Sequence, residues 1–166
     1  MTLKKTIVLL FGMLLMTGCG MAAHTTEPVV EAVNDSQIVR TLGYVESDTN
    51  KNGPRYDVGL ALPDEWVGRV ETRETPNVLY FDYRMEGGET AQLFAIEALS
   101  ERQWAQQSGS SQTAHDELLH NRETVFVYNV AADPYFAGLA RDDYDALVAQ
   151  LPSVVQSLTV SPAAAP

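Results

Sequence analysis

Two apolar segments on either side of a glycine turn constrain the fold of this chain more than any other feature. In the first segment every second residue falls on one face of a strand (Leu79, Phe81, Tyr83 and Met85). The second segment, residues 90–99, carries apolar residues on both faces. Between them lies Glu86-Gly87-Gly88-Glu89, whose glycines suit a tight turn. The sequence therefore predicts an antiparallel β-hairpin with both of its faces at least partly covered.

Other segments also have strand patterns. Residues 56–63 place Val58, Leu60 and Leu62 on one face by strict alternation, before Pro63 ends the pattern. Such a segment is typical of a strand with one buried face.

A second hairpin is predicted around Asn121-Arg122-Glu123. This turn separates "DELLH" from the apolar segment "TVFVYNVA". Residues 37–47 show only a weak strand pattern, and their place in the fold stays open.

Two helices are predicted. Ser100 followed by Gln103 is a capping-box pattern, and Trp104 is the expected packing anchor of the short helix that follows. Near the C-terminus, apolar residues recur at three- and four-residue steps (Tyr144, Leu147, Val148, Leu151, Val155 and Leu158). They predict a long amphipathic helix that Pro152 kinks. Three aspartates lie in its first turn, where they favour the positive end of the helix dipole (Asp142, Asp143 and Asp145).

Together these elements predict an α+β fold. It consists of an antiparallel sheet of five to seven strands, with a short helix and a long C-terminal amphipathic helix packed on it. Residues 55–161, with the opening Leu62-Pro63-Asp64-Glu65-Trp66, resemble the PsbP/Mog1-type α/β/α sandwich. That resemblance implies an accessory or assembly factor rather than an enzyme, by analogy of fold alone.

The N-terminus carries the features of a secretory signal. Lys4 and Lys5 precede the apolar stretch Ile7–Met16, which is shorter than the roughly 20 residues that a spanning helix needs. Then Leu15-Met16-Thr17-Gly18-Cys19 resembles the bacterial lipobox. This resemblance implies cleavage between Gly18 and Cys19 and a diacylglyceryl group on the Cys19 sulfur. The alternative is an ordinary secretory signal that happens to contain a cysteine.

The next residue bears on the membrane that the protein occupies. Gly20 stands where an aspartate would resemble the inner-membrane retention signal of Gram-negative bacteria. Placement at an outer membrane or outer surface is therefore favoured. The predicted organisation is a signal peptide (1–18), a flexible tether (19–36), a single domain (37–161, core 55–161) and a disordered tail (162–166).

Charge and cysteine content exclude several classes of function. Removal of Lys4 and Lys5 with the signal changes the net charge from −11 to −13, which repels nucleic-acid phosphates. Cys19 is the only cysteine, so its lipidation leaves no thiol for a disulfide or for a cysteine-based zinc or iron–sulfur site. Nucleic acid is therefore not an expected partner.

The segment 48–53, "DTNKNG", matches the first half of a calcium loop. Asp48, Asn50 and Asn52 alternate before Gly53, as oxygen ligands do in D-x-N-x-N-G. The position eleven after Asp48 should hold a bidentate glutamate, and it is Gly59. A polar turn is therefore the favoured interpretation, and the cation site is the weaker one.

Catalytic and metal-ligating patterns are weak elsewhere. Ser108, Ser110, Ser111 and His115 lie in a stretch typical of a mobile loop, without a G-x-S-x-G elbow. His115 and His120 are expected to be solvated at a strand edge rather than to share a metal. Glu97 lies among apolar neighbours, and it is expected to face solvent or pair with Arg84, with a buried acid as the alternative.

The sequence thus favours a lipid-anchored extracytoplasmic binding or accessory protein of the bacterial cell envelope. Its expected partners are the membrane, through lipidated Cys19, and a protein of the envelope. No catalytic constellation or cofactor motif is visible, so neither an enzyme nor a cofactor is expected. The alternatives are a small-ligand or cation binder that uses residues 48–53, and an envelope hydrolase whose acidic residues converge only in the fold.

Overall fold

The computed structural model describes residues 28–46, 48–108, 116–131 and 139–164 of the 166-residue chain. The predicted signal peptide and lipobox, including Gly18 and Cys19, lie outside these ranges. Within the ranges, no helix has the length and apolar character that crossing a membrane requires.

The described residues form nine strands in two antiparallel sheets. Numbered in chain order, they are β1 (Val29–Ala32), β2 (Gln37–Glu46), β3 (Lys51–Ala61), β4 (Val70–Glu74), β5 (Val78–Arg84), β6 (Thr90–Ser100), β7 (Asp116–Asn121), β8 (Thr124–Val130) and β9 (Thr159–Pro162). The larger sheet has the order β1-β4-β5-β6-β8-β7, and the smaller has the order β2-β3-β9. The helices are α1 (Glu101–Ser108), α2 (Arg141–Val148) and α3 (Leu151–Gln156).

The main core joins the inner faces of both sheets. Phe81 of β5 stacks on Phe94 of β6, with ring centroids 4.1 Å apart. Val58 and Leu60 of β3 belong to the same buried cluster, as their alternation predicts. Trp66, at the end of a short 3₁₀ turn that follows Pro63, is fully buried against Phe94. Because the cluster contains side chains of β3 from the smaller sheet and of β5 and β6 from the larger one, it holds the two sheets together.

A smaller cluster lies on the opposite face of the larger sheet. Leu99 of β6 packs there with Val125 and Val127 of β8, and Trp104 of α1 packs against them. Helix α1 therefore covers part of the outer face of the sheet, with Trp104 as its anchor.

The predicted tether of residues 19–36 is partly within the fold. Val29–Ala32 pairs with β4 along the edge of the larger sheet, and Val33 is buried. Arg40 of β2 reaches across to this edge, where it forms ion pairs with Glu31 and Glu74. The ordered domain therefore begins by residue 29, and residues 19–27 lie outside the described part of the chain.

The predicted α+β fold is wrong. The described chain has two antiparallel sheets instead of one, and it has no long C-terminal amphipathic helix. The stripe from Tyr144 to Leu158 is divided between α2, α3 and the turn before β9, which pairs with β3. The prediction combined these pieces because their apolar residues keep a helical spacing across the break.

Pro152 explains the break physically. It has no N–H to donate to the carbonyl of Val148, so the helical hydrogen-bond pattern is interrupted there. Helix α2 therefore ends at Val148, and a separate helix, α3, begins at Leu151 with Pro152 in its first turn. A proline that was expected to kink one helix instead separates two.

Candidate functional site

A polar cleft lies where α1 meets the outer face of the larger sheet. Its volume is about 330 Å³, and it is lined by one carboxyl group, several carboxamides and two aliphatic side chains (Val45, Asn77, Glu97, Leu99, Gln103, Gln106 and Gln107). This volume is within the usual range for small-molecule sites. We call it the α1 cleft.

Among the described residues of the lining, Glu97 is the one that carries a carboxyl group. Strand register places it opposite Val78 of β5 and Val127 of β8, so apolar side chains flank it on the sheet. Asn77 donates a hydrogen bond from Nδ2 to Glu97 Oε1 at 3.3 Å. Glu97 is partly buried, and burial raises the pKa of its carboxyl above the ordinary value of 4.5 because the charged form loses hydration.

Gln103 fixes the position of α1 over the sheet. Its side-chain Oε1 accepts a hydrogen bond from the Ser100 backbone N–H at 2.9 Å, and its backbone N–H donates to Ser100 Oγ at 3.2 Å. The predicted capping box is therefore confirmed. Gln103 also donates from Nε2 to the carbonyl oxygen of Val45 at 2.8 Å, which ties α1 to β2.

Helical spacing places the other glutamines beside Gln103. Residues three and four apart lie on the same face of a helix, so Gln103, Gln106 and Gln107 form one carboxamide face. That face lines the cleft, with Gln106 exposed at the rim. The repeated glutamines of "ERQWAQQ" were the available sequence signal for this site, and the sequence analysis used only Gln103.

The residues predicted as calcium ligands lie in the turn between β2 and β3 and at the start of β3. The Asp48 carboxylate accepts hydrogen bonds from Arg102 of α1 at 2.9 and 2.8 Å, and Arg102 also forms an ion pair with Glu46. These contacts hold the pKa of Asp48 below its ordinary value. Asn50 has a left-handed backbone, with φ of 51°, as a turn residue does. Asn52 lies in β3 opposite Val45.

The glycine of this segment has a packing role. A Cβ atom at Gly53 would lie 2.3 Å from Cζ of Tyr44, because the tyrosine ring lies against the glycine. The arginine contact at Asp48 and the strand position of Asn52 explain the rest of the segment as a hairpin turn. Across the described ranges, no group of three or more histidine, cysteine, aspartate or glutamate side chains is placed to hold a metal ion.

Of the remaining candidates, those that the structure describes do not line the α1 cleft. His120 Nε2 lies 3.1 Å from Glu101 Oε1, at the start of α1. Ser110, Ser111 and His115 fall outside the described residues. Asp142 and Asp143 lie in the first turn of α2, as predicted, and Asp145 is 3.6 Å from Arg141 in an exposed ion pair.

The expected pairing of Glu97 with Arg84 is wrong. Arg84 forms an ion pair with Glu71 of β4, and it lies opposite Thr90, at the far end of β6 from Glu97. The register of the hairpin separates the two side chains by most of the strand. The partly buried acid, which was the alternative interpretation, is what the structure has.

Comparisons with known proteins add no family. No protein-family model, curated protein or solved structure matches this chain. The lipobox and PsbP/Mog1 resemblances therefore stay predictions.

Proposed function

We propose that this protein is a lipid-anchored binding protein of the bacterial cell envelope, and that the α1 cleft is its binding site. The observation that carries the anchor is the lipobox-like sequence at residues 15–19, close ahead of the first strand. Two or more acyl chains at Cys19 would give stable attachment. An accessory role beside an envelope protein is part of the same proposal.

The distance from Cys19 to the fold supports a position close to the membrane. Strand β1 begins at Val29, ten residues after Cys19. Ten extended residues reach about 35 Å at most. The domain would therefore sit within roughly its own diameter of the lipid surface, with the β1 edge nearest the anchor.

Binding, rather than catalysis, is supported by the chemistry of the cleft. Its described lining combines one carboxyl with carboxamides, which donate and accept hydrogen bonds but do not exchange protons near neutral pH. Glycoside hydrolysis, for example, uses two carboxyl groups in different protonation states. One carboxyl and a carboxamide face suit the recognition of a ligand.

Metabolic labelling with a palmitate analogue, followed by membrane fractionation, tests the anchor. The full chain expressed in a bacterium should carry the label and sediment with membranes. Cys19→Ala should lose the label, because no sulfur remains to accept the diacylglyceryl group. Met16→Leu, which brings the sequence closer to the usual lipobox, is the matched control and should label as the parent does. A labelled, membrane-bound Cys19→Ala protein would contradict the proposal.

A further inference from the structure

Three exposed apolar side chains lie beside the point where the chain enters the described fold. Val29 and Val30 of β1 are 64% and 58% exposed, and Val39 of β2 is 60% exposed. Isolated exposed apolar residues are ordinary on protein surfaces, whereas groups of them mark surfaces that contact a partner or a membrane. We call these three residues the valine edge.

Ion pairs join the two strands of the valine edge. Arg40, which follows Val39 in β2, forms an ion pair with Glu31 of β1 at 2.9 Å. It forms a second ion pair with Glu74 of β4 at 2.7 Å, and Glu74 lies opposite Val29 in the strand register. The three valines therefore surround one guanidinium group, although they come from different sheets.

The same contacts reduce the negative charge at the valine edge. The chain has a net charge of −11, which repels anionic lipid headgroups. At the valine edge, the positive charge of Arg40 offsets part of the charge of Glu31 and Glu74. This part of an acidic protein is therefore repelled less by an anionic membrane than its exposed, unpaired carboxylates are.

The opposite edge of the larger sheet has a different character. Leu119, which is 38% exposed, lies in β7, at the other end of the strand order from β1. Asp116 and Glu117 of the same strand are also exposed. Their carboxylates would be repelled by anionic lipid, so this edge suits a membrane contact less well than the valine edge does.

The position of the predicted anchor favours a lipid surface as the partner. Val29 is ten residues from Cys19, and ten extended residues reach about 35 Å at most. Acyl chains at Cys19 would also hold the domain at a high effective concentration beside the membrane. A weak apolar contact is then enough to orient the domain.

We propose that the valine edge rests on the lipid bilayer that the acyl chains of Cys19 enter. This inference rests on the proposed lipid anchor, and it is independent of the α1 cleft. The valines lie in the boundary between headgroups and acyl chains, which apolar side chains of surface-bound proteins enter by about 5–10 Å. Five strand spacings of about 4.8 Å separate β1 from β7, so Leu119 stays roughly 24 Å away, in water.

The test measures whether a fluorophore at the valine edge lies in lipid. Because Cys19 is the only cysteine and lipidation blocks its sulfur, a cysteine introduced elsewhere is the only free thiol for a nitrobenzoxadiazole label. The acylated full chain is reconstituted into vesicles of phosphatidylethanolamine and phosphatidylglycerol. The label is placed at Val39→Cys or, as the matched control, at Leu119→Cys. Both positions are exposed, so neither substitution should unfold the protein.

The label at Val39→Cys should shift its emission to shorter wavelength and lose intensity when spin-labelled lipids are included. The label at Leu119→Cys should show neither change. Water-like emission at both positions, or equal lipid quenching at both, would overturn the inference. A shift at Val39→Cys without lipid quenching would also overturn it, because that result indicates cover by a protein, either a second copy or another partner.

Hydrogen exchange of the unlabelled protein is a second measurement that needs no fluorophore. Backbone amides of β1 should exchange more slowly in the vesicle-bound protein than in soluble Cys19→Ala protein, while those of β7 should exchange equally in both. Equal exchange of β1 in the two forms would contradict the inference. Mass spectrometry separates the two failures: a chain without acyl groups contradicts the anchor as well, whereas an acylated chain whose Val39→Cys label stays in water contradicts this inference alone.

Discussion

The two faces of strand β6 differ in polarity, although the side chains of both faces alternate along the same eleven residues. On the inner face, Phe94, Ile96 and Ala98 are fully buried in the core between the sheets. On the outer face, Glu97 lies between Ala95 and Leu99, which are also buried. A carboxyl in the middle of a buried strand departs from the local pattern, and such departures concentrate at functional sites. The comparison therefore assigns stability mainly to the inner face, and the proposed binding site lies on the outer face.

The largest effect is expected at the inner face. Phe94→Ala removes a ring that contacts Phe81 and Trp66, and it leaves a cavity in the main core. Phenylalanine-to-alanine changes in cores cost about 3–5 kcal/mol in the free energy of unfolding. Urea denaturation measures the loss. Val39→Ala, at a valine that is 60% exposed, is the control and should change stability by less than about 0.5 kcal/mol.

A smaller effect is expected where α1 is fixed to the sheet. Gln103→Ala removes the capping hydrogen bond to Ser100 and the bond to the Val45 carbonyl. Caps and single hydrogen bonds are each worth about 1 kcal/mol, so the expected loss is about 1–2 kcal/mol. Gln106→Ala, at the exposed rim, should stay within about 0.5 kcal/mol of the parent. Equal losses in the two variants would mean that Gln103 does not position the helix.

Local patterns predicted the parts of the fold that depend on neighbouring residues. The hairpin around Gly87 and Gly88 is confirmed by the pairing of β5 with β6, and Gly88 has the positive φ that a tight turn favours. The second hairpin is confirmed by the pairing of β7 with β8. The capping box at Ser100 is confirmed for the same reason, since its partners are three residues apart.

These local patterns could not predict which strands pair when they are far apart in the sequence. Strand β9 pairs with β3 about a hundred residues earlier in the chain, and β1 pairs with β4 across a gap of about forty. The spacing of residues within a segment does not indicate which distant segment it pairs with, so the second sheet was not predicted. The C-terminal stripe was predicted to be one helix.

The candidate site was predictable only in part. Glu97 stood out as a polar residue among apolar ones, but its neighbours Asn77 and Gln103 come from other elements. Asn77 reaches Glu97 through the pairing of β5 with β6. Gln103 reaches the cleft through the docking of α1 against β2, which Arg102 and Gln103 produce through contacts more than fifty residues apart.

The smallest expected effect is the pH dependence of stability that Glu97 produces. It tests most directly whether the outer face of β6 differs from the inner face. The raised pKa of Glu97 means that the folded state disfavours its ionised form. The parent therefore loses stability as pH rises from the ordinary value of 4.5 through the raised folded value, and it retains that loss at higher pH. Glu97→Gln cannot ionise, so it should not show this loss.

The measurement is the free energy of unfolding of the parent and Glu97→Gln proteins, determined in urea at several pH values from 4 to 8. The account predicts that Glu97→Gln gains stability relative to the parent as pH rises across this range. A difference that stays constant with pH, or that falls as pH rises, would contradict it. In that case the Glu97 carboxyl would be an ordinary solvated or ion-paired group. The proposal that the α1 cleft is the binding site would then lose its support.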